Sequence, residues 1–234
     1  MSEAQAAEKN KFYDSPEKYY DTIAHTYDSG KKKNLYYFEN LVGLYTSIIP
    51  PQSNVLEIGS GTGDLITRLS VKKGVGFDIS IEMVKVAQSK YSNLENIEYI
   101  RHDIKESNEP FNADYIILAD VLEHVPNLSS FINQLSLRTP KNTKIIISVL
   151  NPIWEWLMMI VEKLNMKIPE GPHVRFTVKD SEEIFRKAGF NIEKRGYRFL
   201  IPKKVPFSDL INRHFHKNKF LARYGFTLYW ILSK

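Results

Sequence analysis

The residues Gly59-Ser60-Gly61-Thr62-Gly63-Asp64 follow directly on the apolar run Val55-Leu56-Glu57-Ile58. Glycines tolerate positive φ and let the backbone come close to a ligand, and the start of a following helix favours an anionic group. Such a turn suits a nucleotide-like cofactor. The dinucleotide fingerprint needs G-x-G-x-x-G, whereas here the glycines stand two apart and Asp64 fills the position three after Gly61, which disfavours nicotinamide. A tight strand-to-helix turn without a ligand is the alternative for the loop alone.

Two more acids stand where successive strands should end. Asp78 closes Gly74-Val75-Gly76-Phe77-Asp78, roughly 20 residues after Gly59, the separation at which a carboxylate accepts hydrogen bonds from the two hydroxyls of a ribose. Asp103 follows Arg101-His102 at the next strand end, beside where an adenine edge would lie. Either acid alone reads as a solvated strand end. Glycine turn, Asp78 and Asp103 together form a more specific set.

The elements that must position these residues alternate along the chain. Strands are expected at Asn54–Ile58, Gly74–Asp78, Ile97–Arg101, Tyr115–Ala119, Lys144–Leu150, Ile192–Ile201 and Phe226–Leu232. Helices are expected at Asp64–Leu69, Ile81–Tyr91, Leu128–Leu137 and Ser181–Ala188. Such alternation implies an α/β fold, a mostly parallel sheet covered on both faces. The runs Ile116-Ile117-Leu118 and Ile145-Ile146-Ile147 read as centre strands buried from both sides. Ahead of them, Tyr19 to Tyr45 reads as two helices broken near Ser29-Gly30, and residues 1 to 18 as a mobile tail or short helix start. Residues 152–175 and 203–223 interrupt the alternation and should build substrate walls at the carboxyl edge of the sheet.

At these residues the sequence resembles the class I S-adenosylmethionine-dependent methyltransferases. Glu57 to Gly63 is similar to that family's first motif, Phe77-Asp78-Ile79-Ser80 to the second, His102-Asp103-Ile104 to the third, and Ala113 to Val125 to the fourth. The resemblance implies a Rossmann-like, doubly wound seven-stranded mixed sheet in the order 3-2-1-4-5-7-6. It also implies S-adenosylmethionine as cofactor and S-adenosylhomocysteine as product. Glu57 and Ile79 fall within the binding motifs. Gly59, Ser60 and Gly61 would line the methionine part, Asp78 would hold the ribose, and Met83, Asp103 and Ile104 would frame the adenine. Ala119 and Asp120 would lie beside the sulfonium. The stretch Asp21 to Asp28 resembles the amino-terminal cap of small-molecule members, with Tyr19, Tyr20 or Tyr27 closing over the methyl group; residues 1–48 would form that cap within a single domain spanning the chain.

Methyl transfer is an in-line displacement, so the protein mainly aligns the reactants and excludes water. A hydroxyl acceptor also needs a base. His124 is the leading residue because imidazole titrates near neutral pH, with Asp120 as the weaker one; a structural histidine at a helix start is the competing reading. His173 lies in the first insertion where the acceptor should enter. Trp154, Trp156 and Arg175 of the same insertion are assigned to substrate. No cluster has metal-ligand spacing, so no metal is expected.

The acceptor is narrowed by what the chain lacks. Without any Cys, cytosine-carbon chemistry and thiolate sites are excluded. The fourth motif carries Leu118-Ala119-Asp120-Val121 where nucleic-acid amino methyltransferases have Asn/Asp-Pro-Pro-aromatic, and 32 Lys+Arg against 27 Asp+Glu leave only +5. No nucleic-acid partner is expected. A small-molecule or lipid-linked, amphiphilic acceptor is. The absence of a signal or spanning segment points to the cytoplasm. The apolar run Ile153 to Val161 and the basic, aromatic-interleaved 203–223 segment leave open peripheral contact with the inner membrane surface and packing on a second copy. The alternative function is a non-catalytic cofactor-binding protein that docks a partner or membrane through those insertions.

Overall fold

The computed structural model describes residues 15–154, 177–215 and 219–234. Its sheet is built on β1 (Asn54–Ile58), β2 (Lys73–Asp78), β3 (Ile97–Arg101), β4 (Tyr115–Ala119), β5 (Lys144–Leu150), β6 (Asn191–Arg198) and β7 (Thr227–Ser233). The seven strands lie in the order β3-β2-β1-β4-β5-β7-β6. β1 to β5 pair in parallel, and β7 enters antiparallel between β5 and β6. The expected fold class is the one observed.

Alternation along the centre strands explains their unbroken apolar sequence. Ile116, Leu118, Ile145 and Ile147 face one side, packed with Phe131, Ile132 and Leu135 of α4 (Leu128–Arg138), Phe185 of α5 (Val178–Lys187) and Trp230. Ile117 and Ile146 face the other side, with Leu41, Leu44 and Tyr45 of α2 (Leu35–Thr46) and Val84 of α3 (Ile81–Lys90). Residues buried on both faces leave no polar side to the strand, and each fully buried Ile contributes about 1.5–3 kcal/mol relative to exposure.

Three expectations need correction. The amino-terminal helix α1 (Pro16–Lys33) runs straight through Ser29-Gly30 and ends at Asn34. Gly30 is buried inside it and makes no turn there. The Ser15 side chain caps its start by accepting from Lys18 N–H. In place of a helix over Asp64–Leu69 there is only a single 3₁₀ turn, Ile66–Arg68, because the chain must reach β2 at Lys73. His124 lies in another 3₁₀ turn, Leu122–His124, well before α4 begins at Leu128. The 203–223 insertion contains α6 (Ser208–His214) and α7 (Lys219–Ala222). No helix among the described residues is long and apolar enough to cross a membrane.

Candidate functional site

Because β1 to β4 run parallel, their last residues, Ile58, Asp78, Arg101 and Ala119, share one edge of the sheet. In a doubly wound sheet the ligand crevice lies there. The glycine turn adopts positive φ at Gly59 (77°), Gly61 (52°) and Gly63 (85°). Gly59 and Ser60 N–H both donate to the Phe77 carbonyl, at 2.8 and 3.0 Å, which holds the turn against β2. A Cβ on Gly59 would stand 2.5 Å from Val121 Cγ2, and one on Gly63 2.6 Å from the Tyr99 ring. Gly61 is different: its Cβ would meet Tyr27 Cε1 at an ordinary 3.7 Å, so this glycine faces α1.

Asp78 is buried at the end of β2. Its Oδ2 accepts from Gly61 N–H at 2.7 Å and its Oδ1 from Ser80 N–H at 2.9 Å. Burial pushes the carboxyl above its ordinary value, while those two donors and the Lys31 charge pull it back. Ser80 caps α3, accepting from Met83 N–H at 3.1 Å and donating to Asp21 Oδ1 of α1 at 2.6 Å. Met83 is buried and Ile79 half-buried beside it. Glu57 lies under the turn, accepting from Ile66 N–H at 3.1 Å, and burial raises its carboxyl to about 8.

At the β3 end, Asp103 is half-buried and its Oδ1 accepts from Lys105 N–H at 3.0 Å, while Ile104 is buried. This turn is set from beneath by Arg138 at the end of α4. Its guanidinium lies 4.1 Å over the Phe111 ring, donates to the Ile104 carbonyl at 3.2 Å and meets His102 Nε2 at 2.8 Å. A guanidinium only donates, so the contact requires a neutral His102 with Nε2 as acceptor. Burial, then the Arg138 charge, hold that imidazole below its ordinary value.

At the β4 end, Asp120 adopts φ +53° and follows Ala119; its N–H donates to Ser148 O at 2.9 Å and its Oδ2 accepts from Tyr37 OH at 2.7 Å. Aspartate is among the few residues that tolerate the left-handed region. His124 meets the Tyr20 ring edge-on, centroids 5.9 Å apart, and Tyr20 in turn packs edge-on against Tyr19. Burial, then the negative partners around it, raise the Tyr20 hydroxyl well above its ordinary value; Asp78 and Glu123 are among them. Tyr20 therefore stands between the β2 and β4 ends.

Helix α1 is fastened over the glycine turn by charge. Lys31 donates to Thr62 Oγ1 at 3.2 Å and to Asp64 Oδ2 at 3.0 Å, Thr62 donates to Asp28 Oδ1 at 2.6 Å, and Lys90 bonds both Asp28 and Asp64. Burial raises the Asp64 carboxyl, but the Lys31 charge and the bonds from Lys90 and Tyr91 outweigh it and hold the group at about 2.

Trp154 donates through Nε1 to the Tyr224 carbonyl at 2.9 Å and packs on Phe226, which packs on Tyr37, the partner of Asp120. Trp156, His173 and Arg175 lie outside the described residues. The structure thus gathers Tyr20, Tyr27, Gly59, Ser60, Gly61, Asp78, Asp120 and His124 at one edge. Sequence reading missed Tyr37, Lys31, Lys90 and Arg138. Arg138 looks like an ordinary basic residue in a last helical turn, and nothing local marks it as buried.

The crevice can be tested for the implied cofactor on its own atoms. Ser60 Oγ is buried with no hydrogen-bond partner among the described residues. Buried polar atoms are normally satisfied, so a hydroxyl left over in this turn, 2.9 Å from where a Cβ on Gly76 would stand, fits a polar ligand group. Among the described residues no group of three or more His, Asp or Glu is arranged to hold a metal.

Comparison with known proteins bears on the family and the fold. The family model of the methyltransferase domain matches residues 31–195. A ubiquinone biosynthesis O-methyltransferase of Vibrio atlanticus is 31% identical over 142 residues, covering 57% of this chain and 57% of that protein. The chain spans little more than half the length of the curated relatives it matches. Among solved structures, a SAM-dependent methyltransferase from Thermotoga maritima superposes with TM-score 0.69 at 15% identity, covering 92% of this chain and 97% of the other. Magnesium protoporphyrin IX methyltransferase from Synechocystis, with bound S-adenosylhomocysteine, gives 0.56 at 20% identity, covering 84% and 81%. At these identities the two structures bear on the fold alone.

Proposed function

The chain belongs to the class I S-adenosylmethionine-dependent methyltransferases, and we propose on that footing that it methylates an oxygen of a small amphiphilic acceptor. The observation that carries the reading is the meeting of the Asp78 carboxylate, the Gly59-to-Gly63 turn and the unsatisfied Ser60 hydroxyl at one sheet edge. The cofactor supplies a methyl group on a positively charged sulfur, already activated for transfer. The chain supplies the rest. Asp78 would accept from the ribose hydroxyls, Ser60 and the turn would hold the amino-acid end, and Met83, Asp103 and Ile104 would flank the base.

An oxygen acceptor would have to give up its proton for transfer to be complete. His124, packed edge-on against Tyr20, would take it, and Asp120, held by Tyr37, would supply a carboxylate at the same strand end. Oxygen is preferred over nitrogen or carbon because these two groups supply a proton acceptor and because the Vibrio relative is named as an O-methyltransferase. Trp154, packed on Phe226, would form part of the acceptor's wall, and the apolar character of that pair selects an amphiphile.

Calorimetric titration of the whole chain with S-adenosylhomocysteine tests the first half. Saturable binding is expected, weakened at least about 100-fold in Asp78→Ala, since a buried charge-assisted pair of hydrogen bonds contributes roughly 3 kcal/mol. No heat at millimolar ligand would sink the reading. Labelled cofactor with a lipid extract and with an aqueous extract identifies the acceptor; label confined to nucleic acid would overturn it.

A further inference from the structure

The segment from Lys203 to His214 is turned inside out. Lys203 to Phe207 are all exposed, as are Leu210 and Ile211, with Phe207 76% and Leu210 59% accessible. Two of its uncharged polar residues, Ser208 and Asn212, point the other way. Ser208 is buried, and Asn212 accepts from Leu200 and Ile201 N–H at 2.8 and 2.9 Å and donates to the Ile201 carbonyl and to Tyr36 OH at 2.8 and 3.0 Å. Three of those bonds lock the segment to the Leu200-Ile201 backbone and the fourth ties it to Tyr36 of α2, so the apolar residues are held outward by the fold. Phe207 adopts φ +66°, a conformation that disfavours a bulky side chain, and spends it on presenting its ring to solvent.

The surround of this patch is cationic. Lys203 reaches the Lys33 carbonyl at 2.9 Å and Asn34 Oδ1 at 2.6 Å, which brings the Lys32-Lys33 end of α1 alongside Lys203, Lys204 and Arg213. Asp209 is the single acid in the segment, and it is already engaged by Lys204 and by Tyr36 OH at 2.9 Å. Isolated exposed apolar residues need no explanation, but a contiguous set held out by satisfied polar anchors inside a basic rim does. Apolar side chains between Lys and Arg fit the headgroup region of an anionic bilayer, where the rings and alkyl groups enter the acyl boundary and the cations meet phosphate. A protein partner would have to offer both a matching acidic rim and an apolar knob; a bilayer offers both everywhere.

We propose that residues 203–213, with the end of α1, dock the protein onto an anionic lipid bilayer. Adjacent residues of α2 connect this surface to the site: Tyr36 bonds Asp209 and Asn212 of the patch, and Tyr37 bonds Asp120. Docking would hold the crevice edge near the bilayer, where an amphiphilic acceptor resides; only this consequence rests on the function proposed above.

Sedimentation of the whole chain with vesicles tests it. Binding is expected to phosphatidylcholine–phosphatidylglycerol vesicles in equal parts and not to phosphatidylcholine alone. Each of Phe207→Asp/Leu210→Asp and Lys203→Glu/Lys204→Glu should weaken it by roughly tenfold or more, from lost acyl burial and from lost lysine attraction respectively. Both variants should bind S-adenosylhomocysteine as the parent does, a readout that also separates failure of docking from failure of the cofactor site. Should the charged variants not fold, Phe207→Trp serves instead: its added emission should shift to the blue with anionic vesicles. The proposal is overturned if the parent stays in the supernatant with anionic vesicles, if the Phe207/Leu210 variant still pellets fully, or if the patch proves instead to join two copies in equilibrium sedimentation.

Discussion

The Tyr37 hydroxyl donates to Asp120 Oδ2 at 2.7 Å, joining helix α2 to the residue that follows β4 at φ +53°. Burial, then the Asp120 charge, raise the Tyr37 hydroxyl well above its ordinary value, so it serves as a fixed donor. Tyr37→Phe should destabilise the fold by about 1–2 kcal/mol, because a charged acceptor loses its donor. A double-mutant cycle with Asp120→Asn in urea unfolding measures the coupling, and additive effects would show that the pair does not act as one unit.

Glu57 makes stability depend on pH. Its carboxyl sits at about 8 in the fold against an ordinary 4.5, chiefly from burial. The folded state therefore holds a proton that the unfolded chain has released between those values. Its contribution is complete below about pH 4.5 and is lost as pH rises through 8, at up to about 1.4 kcal/mol per unit. Glu57→Gln should flatten that slope in unfolding measured from pH 5 to 9; an unchanged slope would assign the effect elsewhere.

Asp64 has the opposite sign. Held at about 2 against 3.8, it stabilises the fold above pH 4 and loses that contribution as pH falls toward 2. Asp64→Asn should cost about 2 kcal/mol at neutral pH, and it should release α1 from the glycine turn, since Lys31 and Lys90 both lose a partner. Faster tryptic cleavage after Lys31, Lys32 or Lys33 checks this. An unchanged cleavage rate would mean that packing alone holds the helix.

Two glycines separate folding from binding. Gly63→Ala places a Cβ against the Tyr99 ring in a left-handed position and should cost about 2–4 kcal/mol. Gly61→Ala has room beside Tyr27 and should cost only about 1–2 kcal/mol from its φ. It nonetheless stands in the proposed cofactor turn, so S-adenosylhomocysteine affinity should fall at least about tenfold, the effect of losing roughly 1.4 kcal/mol of contact. Melting curves and calorimetry on both variants distinguish the two effects.

Much of the frame is readable from local chemistry. β1, β3, β4 and β5 begin and end where expected, and in β4 and β5 the reason is plain: their interiors are buried on both faces and so carry the runs Ile116 to Leu118 and Ile145 to Ile147. The helices were less legible where packing overrides propensity. Gly30 reads as a break but is a buried residue inside α1, and α5 starts earlier than its apolar pattern because Thr177 and Asp180 form a capping box.

By itself the sequence determined the βα order, the glycine turn and the acids at the strand ends, since each is specified by residues adjacent in the chain. Only the tertiary structure decided what surrounds them. Tyr37 reaches Asp120 across 83 positions, Lys31 reaches Asp64 across 33, and Arg138 reaches Ile104 across 34. The side-chain period within an element says which face is buried, and nothing in it says which distant charge will be waiting there. That pairing is fixed when the sheet order brings the elements together, and with it come the displaced titrations and the outward-facing patch at Phe207.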